Sequence, residues 1–217
     1  MGKIGYGGAM HIETPLGLRE RKKLDTRRAL SDAALALAFE NGLENVTREG
    51  IAERAGVSLR TFSNYFTGKY DAIAYRQTER LRRSLDVLRQ RPADEPLWAA
   101  ITAAMLEPLE SEGAADVLPS AAQLAEVRKV VLAPQARFAI TKGAFADWVD
   151  VIAARTGTDA ERDIYPRLVV GVIAAVVEAA TEIYVDTNPP VHITTVLRQG
   201  FAAVAAGLPS PTREEHR

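Results

Sequence analysis

No cysteine occurs in the 217 residues, so a disulfide framework, a thiolate nucleophile and a cysteine-ligated zinc are all excluded. Histidine is nearly as scarce. His11, His192 and His216 stand far apart in the sequence, and none belongs to an HExxH pattern or to the Glu-x-x-His pattern of di-iron bundles. Phosphate loops are missing too: the glycines of Gly5–Gly8 precede neither a strand pattern nor a helix pattern. Asp147 and Asp150, like Glu178 and Glu182, are spaced to share one helix face, yet no ligating histidine accompanies either pair. A helical-bundle enzyme is thus left without residues to carry its chemistry, and neither a metal nor a cofactor is expected. No apolar run is expected to approach the span of a membrane helix, and the N-terminus lacks a signal-peptide core. The expectation is a cytoplasmic protein with no membrane partner. Long β-branched runs are also few, while alanine is abundant and apolar residues make up 47% of the chain, which predicts an all-α fold with ample core.

Net charge is equally uninformative until it is divided. The whole chain carries −1, but residues 1–91 hold 17 Lys and Arg against 11 Asp and Glu, a net of +6. Residues 92–217 hold 10 against 17, a net of −7. A basic N-terminal part followed by an acidic remainder suits a nucleic-acid module joined to a unit that avoids phosphate.

The stretch TREGIAERAGVSLRTFSNYFTGK, Thr47–Lys69, shows what that module is. Arg48–Ala55 reads as a short helix with Ile51, Ala52 and Ala55 turned inward, and Thr47 is placed to cap it. Gly56 sits where a helix ends in a left-handed residue. Ser58 then caps a second helix over Leu59–Phe66, with Leu59, Phe62 and Phe66 on one apolar face. Ser58, Arg60, Thr61, Asn64 and Tyr65 are left to point outward. This spacing predicts a helix-turn-helix whose second helix suits the major groove, although an ordinary αα-hairpin with a solvated polar face has the same spacing. An amphipathic helix over Lys22–Asn41, with Leu30, Ala33, Ala34, Leu37 and Ala38 on one face and Gly42 just past its end, precedes the motif. A further helix opens at Lys69 and carries Ile73, Leu81, Leu85 and Leu88.

Together Leu30–Asn41, Gly42, Val46-Thr47, Ile51-Ala52, Ala55–Ser58, Thr61-Phe62, Asn64–Phe66, Lys69 and Ala72-Ile73 resemble the N-terminal domain of the TetR family of regulators. The resemblance covers roughly Lys22–Tyr75, about a quarter of the chain. Ser63 departs from it, standing where the family usually has an aromatic residue. It implies a helix-turn-helix domain over 21–68 and a helical ligand-binding and dimerisation domain over 69–208, with tails at 1–20 and 209–217. It also implies that Thr47 touches the DNA backbone, and that Tyr65 and Lys69 grip phosphate. For Tyr65 the alternative is a half-buried ring beside Phe66. Arg27, within the basic cluster Arg19–Arg28, is expected at a phosphate or in the minor groove, and Arg48 joins the backbone contacts. Arg60 is the candidate base reader, because arginine bonds guanine through two donors; Thr61 suits a thymine methyl or a phosphate.

The rest of the chain predicts helices over Lys69–Gln90, Glu95–Glu110, Pro119–Leu132, Pro134–Arg155, Asp159–Val185 and Val191–Ala206. Pro92 and Pro96 mark the clearest break between parts. The run LVVGVIAAVVEAA, with Gly171 and several alanines, wants burial on more than one side, which predicts a four-helix homodimer interface formed by the last two helices. A fully buried intramolecular helix is the alternative. In the family, ligand cavities lie inside the C-terminal helices. Candidate lining residues here are Trp98, Met105, Phe138, Thr141, Phe145, Trp148, Tyr165 and Glu178, any of which also suits plain core. The expected function is a ligand-responsive repressor that binds a palindromic double-stranded operator and is released by a small lipophilic effector such as an acyl-CoA, a fatty acid or an aromatic compound. A DNA-binding dimer without ligand response differs only in lacking a usable cavity.

Overall fold

The computed structural model describes residues 17–113, 118, 120–136 and 144–210, except for the side chains of 131–132 and 144–145. Every regular element among them is helical. In order they are α1 (Leu18–Asn41), a 3-10 turn (Leu43–Asn45), α2 (Arg48–Arg54), α3 (Leu59–Tyr65), α4 (Lys69–Gln90), α5 (Leu97–Ser111), α6 (Ala121–Leu132), α7 (Ala144–Thr156), α8 (Ile164–Asp186) and α9 (Ile193–Ala205). The helix expected over Pro134–Arg155 is helical at 134–136 and again from Ala144.

Two hydrophobic cores organise these elements. The first gathers Leu30, Ala34 and Ala38 of α1 with Ile51 and Ala52 of α2, Phe62 of α3, Phe66, and Ala72, Ile73 and Tyr75 of α4. Phe62 is fully buried, and truncating such a ring to alanine costs about 3–5 kcal/mol. The Phe66 ring packs tilted against it at 5.9 Å and meets the Tyr75 ring edge-on at 5.6 Å. The second core holds Leu85 and Leu88 of α4, Ile101 and Met105 of α5, Trp148 and Ile152 of α7, Val169 and Ile173 of α8, and Phe201 of α9. Helix α4 therefore belongs to both, its first turns to one and its last turns to the other.

Three findings correct the sequence reading. Leu59 is not inward: it is 40% exposed, because the first turn of α3 projects past the small core and only Phe62 and Phe66 reach it. The Pro92–Pro96 break is not a boundary between parts but a turn within the second core, since α4 and α5 pack along each other. Arg91 and Glu95 pair across this turn, with Nε to Oε2 at 2.6 Å, and the Arg155 guanidinium donates to the carbonyls of Arg91 (3.2 Å), Pro92 and Glu95 (3.4 Å). Finally, by length and composition alone the 23-residue α8 is apolar enough to cross a membrane. In this fold one side of it, Val169, Val170, Ile173, Val176 and Ala180, packs into the second core, while Gly171, Ala175, Glu178, Ala179 and Glu182 face outward.

Candidate nucleic-acid interface

Local chemistry sets each turn of the helix-turn-helix. Thr47 accepts the Gly50 amide on its hydroxyl at 3.1 Å and starts α2. At the other end the Val57 amide returns to the Ala52 carbonyl and the Gly56 amide to that of Glu53, both at 3.0 Å. This double closure needs a left-handed residue, and Gly56 supplies it at φ +67°. A side chain there meets open space but pays for the backbone, about 1–2 kcal/mol. Ser58 then caps α3, taking the Thr61 amide at 3.1 Å while its hydroxyl also meets the Thr61 hydroxyl at 2.9 Å. Both sequence-expected caps are thus formed.

The pair of helices is braced from behind. Arg54 of α2 grips the Glu40 carboxylate of α1 through both guanidinium nitrogens, one at 2.7 Å, and the hydrogen bond from Arg54 holds that carboxyl below its usual range. Arg76 of α4 reaches Asp32 of α1 at 2.8 Å. Neither brace was legible in the sequence, because the partners lie on different helices.

The outer surface is polar. Thr47, Arg48, Ser58, Arg60 and Asn64 are exposed and Thr61 half-exposed, with Leu59 and Ser63 among them. Arg60 has a free run to whatever meets α3. Leu59 was missed as a surface residue, because its i, i+3 spacing to Phe62 reads as one apolar face. Tyr65 is half-buried at the end of α3 and packs against the first core. The Arg27 guanidinium carbon lies 6.0 Å from the Tyr65 ring centre and 5.9 Å from that of Tyr75. Lys69 does not project freely. Its ammonium donates to the Leu43 carbonyl at 3.0 Å and to that of Glu44 at 3.3 Å, tying the start of α4 to the 3-10 turn. Two of its three donors are thereby engaged.

The candidate ligand residues are scattered by comparison. Met105 and Trp148 are buried in the second core and Trp98 packs half-buried against it. Phe138, Thr141 and the Phe145 side chain lie outside the described residues. Tyr165 and Glu178 lie apart from Met105, Trp148 and Trp98, at the surface. Tyr165 is 43% exposed in the first turn of α8, and Glu178 faces outward from the same helix. Thr181, the other polar interruption of α8, donates to the Val177 carbonyl at 2.7 Å and needs no ligand. Arg128 and Lys129 are spent on Asp186 (2.6 Å) and Glu126 (2.7 Å). A surface cleft of about 230 Å³ opens between α4 and α5, lined by Arg83, Asp86, Val87, Gln90, Glu107, Pro108 and Ser111. Among the described residues, no group of His, Asp and Glu is arranged to hold a metal ion.

A capped helix-turn-helix braced on a three-helix core, joined through a shared helix to a larger helical unit, defines a DNA-binding regulator of transcription. The model of the tetR family of bacterial regulatory proteins matches residues 30–73, and that of the MftR C-terminal domain matches residues 95–209. The transcriptional regulator TcmR of Streptomyces glaucescens is 33% identical over an alignment of 173 residues that covers 74% of this chain and 73% of TcmR. The chain belongs to the TetR family. Its fold matches the fatty acid degradation regulator FadR of Bacillus halodurans at 21% identity and TM-score 0.55, over 84% of this chain and 96% of that one. It also matches FadR of Thermus thermophilus, solved with lauroyl-CoA, at 18% identity and TM-score 0.53, over 87% and 97%. A TetR-family regulator from Syntrophomonas wolfei gives TM-score 0.58 at 14% identity, over 88% and 100%.

Proposed function

We propose that the chain is a homodimeric, ligand-responsive repressor acting in the cytoplasm, which reads a palindromic operator through α3 and is released by a small lipophilic effector. The observation that carries this reading is α3 itself. Its one large inward residue, Phe62, is buried without remainder, while Arg60 and Asn64 are presented on the opposite side by a helix capped at both ends of the turn. A seven-residue helix so fixed has the dimensions of a groove reader. Arg60 reads a base; Thr61, Asn64 and Ser58 add contacts to bases or phosphates; Thr47, Arg48, Tyr65 and the remaining donor of Lys69 hold the backbone.

Dimerisation is supported by the outward face of α8, where Gly171, Ala175 and Ala179 recur at helical spacing, and by Ala202, Ala203 and Ala206 exposed at the end of α9. Small residues at such spacing let two helices approach closely, and the resulting twofold axis supplies the palindrome. For the effector, support is chemical: Trp98, Met105 and Trp148 all belong to the apolar second core or pack against it, and the Thermus relative of the same fold holds an acyl thioester. Release follows from α4, which is shared by both cores, so that a ligand favouring one position of its last turns changes the separation of the two recognition helices.

Selection of bound sequences from a random DNA pool at moderate salt tests the reading directly. A palindromic consensus is the expected result and fixes the half-site spacing. A folded dimer that enriches nothing would sink it.

A further inference from the structure

The basic cluster at the start of α1 suggests phosphate contacts for all its members, but Arg27 is built differently from its neighbours. The residue is half-buried, and its Nε is buried without a hydrogen-bond partner. Among the described residues no carboxylate pairs with it, although Arg54 and Arg76 nearby each have one. Instead two aromatic rings approach it at nearly equal distances, Tyr65 at 6.0 Å and Tyr75 at 5.9 Å. Tyr65 is the last residue of α3, and Tyr75 lies in the second turn of α4, 6% exposed and edge-on to Phe66. Arg27 is thus the side chain at which α1, α3 and α4 meet. A guanidinium is a flat, weakly hydrated cation that stacks on aromatic faces, and lysine is no substitute at such a site.

We propose that Arg27 is a positioning residue: held by the Tyr65 and Tyr75 rings, its guanidinium fixes the Tyr65 phenol at the end of the recognition helix and ties that end to α4. The inference rests on the DNA-binding reading above. In it Tyr65 touches phosphate through its hydroxyl, and Arg27 touches no DNA. Displacing the first turns of α4 then moves Tyr75, Arg27 and the end of α3 together. The polar atoms left without partners here, Arg27 Nε and the Tyr75 hydroxyl, are the cost of placing a cation between two rings rather than against an acid.

The two roles separate in salt dependence. A direct phosphate contact releases counterions and contributes about 0.9 to the slope of log affinity on log salt, whereas a positioning role contributes none. Operator affinity is measured over a salt series for wild type, R27M, R27K, Y65F and R27M/Y65F, using the DNA selected by the wild-type protein, with thermal melts confirming that each variant is folded. R27M and R27K are both expected to weaken binding by about five- to thirtyfold with the slope unchanged. The double variant is expected to bind no more weakly than the worse single one, because both changes remove the same placed phenol. R27K binding like wild type, with R27M losing about 0.9 of slope, would show a direct phosphate contact and overturn the proposal. Multiplying effects of R27M and Y65F would overturn it as well. Should R27M fail to fold, R27K decides alone. A wild-type protein that selects no sequence is a distinct result: the DNA-binding reading then fails and takes this inference with it.

Discussion

At the scale of single residues, what matters is which donors are already committed. Lys69 carries the same charge as Arg60, yet its ammonium is tethered to two backbone carbonyls while Arg60 meets only solvent. The two should therefore differ in kind. Arg60→Ala is expected to cost about 1–3 kcal/mol of operator affinity and to relax preference at one base position, seen when the variant is put through the same random-pool selection. Lys69→Ala is expected to weaken specific and random DNA alike and to lower the salt slope by about 1. An Arg60 variant that lost both kinds of DNA equally would remove its base-reading role. Caps were the most legible residues in the sequence, because Thr47, Gly56 and Ser58 act on amides within a few positions of themselves. Arg27 was read only as part of a basic cluster; its rings come from residues 38 and 48 positions further on, and nothing local announces them.

At the scale of elements, the shared helix α4 is held at its far end by ions. Arg80 donates to Glu112 at 2.7 Å, Arg83 grips the other oxygen of the same carboxylate, and Arg198 of α9 pairs with Glu110 at 2.8 Å. Burial pushes the Glu112 carboxyl up, but hydrogen bonds from Arg83 and Arg80 outweigh it and hold the carboxyl below its usual range. A carboxyl depressed in the folded state stabilises it above the unfolded value of 4.5, and that contribution is lost as pH falls through the lower, folded value. Glu112→Gln should accordingly lower stability at neutral pH by about 1 kcal/mol, since the Glu112 side chain is 21% exposed and its arginines remain partly solvated. Urea titrations of the two proteins should converge as the pH drops below 4.5; a gap that persisted undiminished in acid would show that the carboxylate charge is not what holds α4. The element boundaries themselves were largely readable. The span Lys69–Gln90 was anticipated to the residue, because Gly68 and Pro92 bracket it. What sequence misread was the role of the break after it, which proved to be a turn pinned by Arg155 from 60 or more residues away.

At the scale of the whole molecule, the outward face of α8 is what the dimer reading uses. The exposed side of α8 carries Gly171, Ala175 and Ala179 together with the large apolar Leu168 and Ile183, beside Glu178 and Glu182. The dimer reading predicts that Ala179→Arg, by placing a long charged side chain where two helices approach, yields a folded species with the mass of one chain by light scattering. The same variant should lose most of its affinity for the full palindrome while a single half-site is bound as by wild type. A variant that stayed dimeric would move the interface elsewhere. If the effector is found, operator and effector must oppose each other by the same factor in both directions.

Sequence alone determined the helical class, the helix-turn-helix and its caps, and the family, since these depend on periodicity and on hydrogen bonds between near neighbours. Only the tertiary structure decided that Leu59 faces out, that Tyr165 and Glu178 lie on an open face, that Lys69 is tethered to the 3-10 turn and that Arg27 lies against two rings. Each of those depends on which helix packs against which, and side chains brought together across 25 to 50 positions leave no local pattern to read.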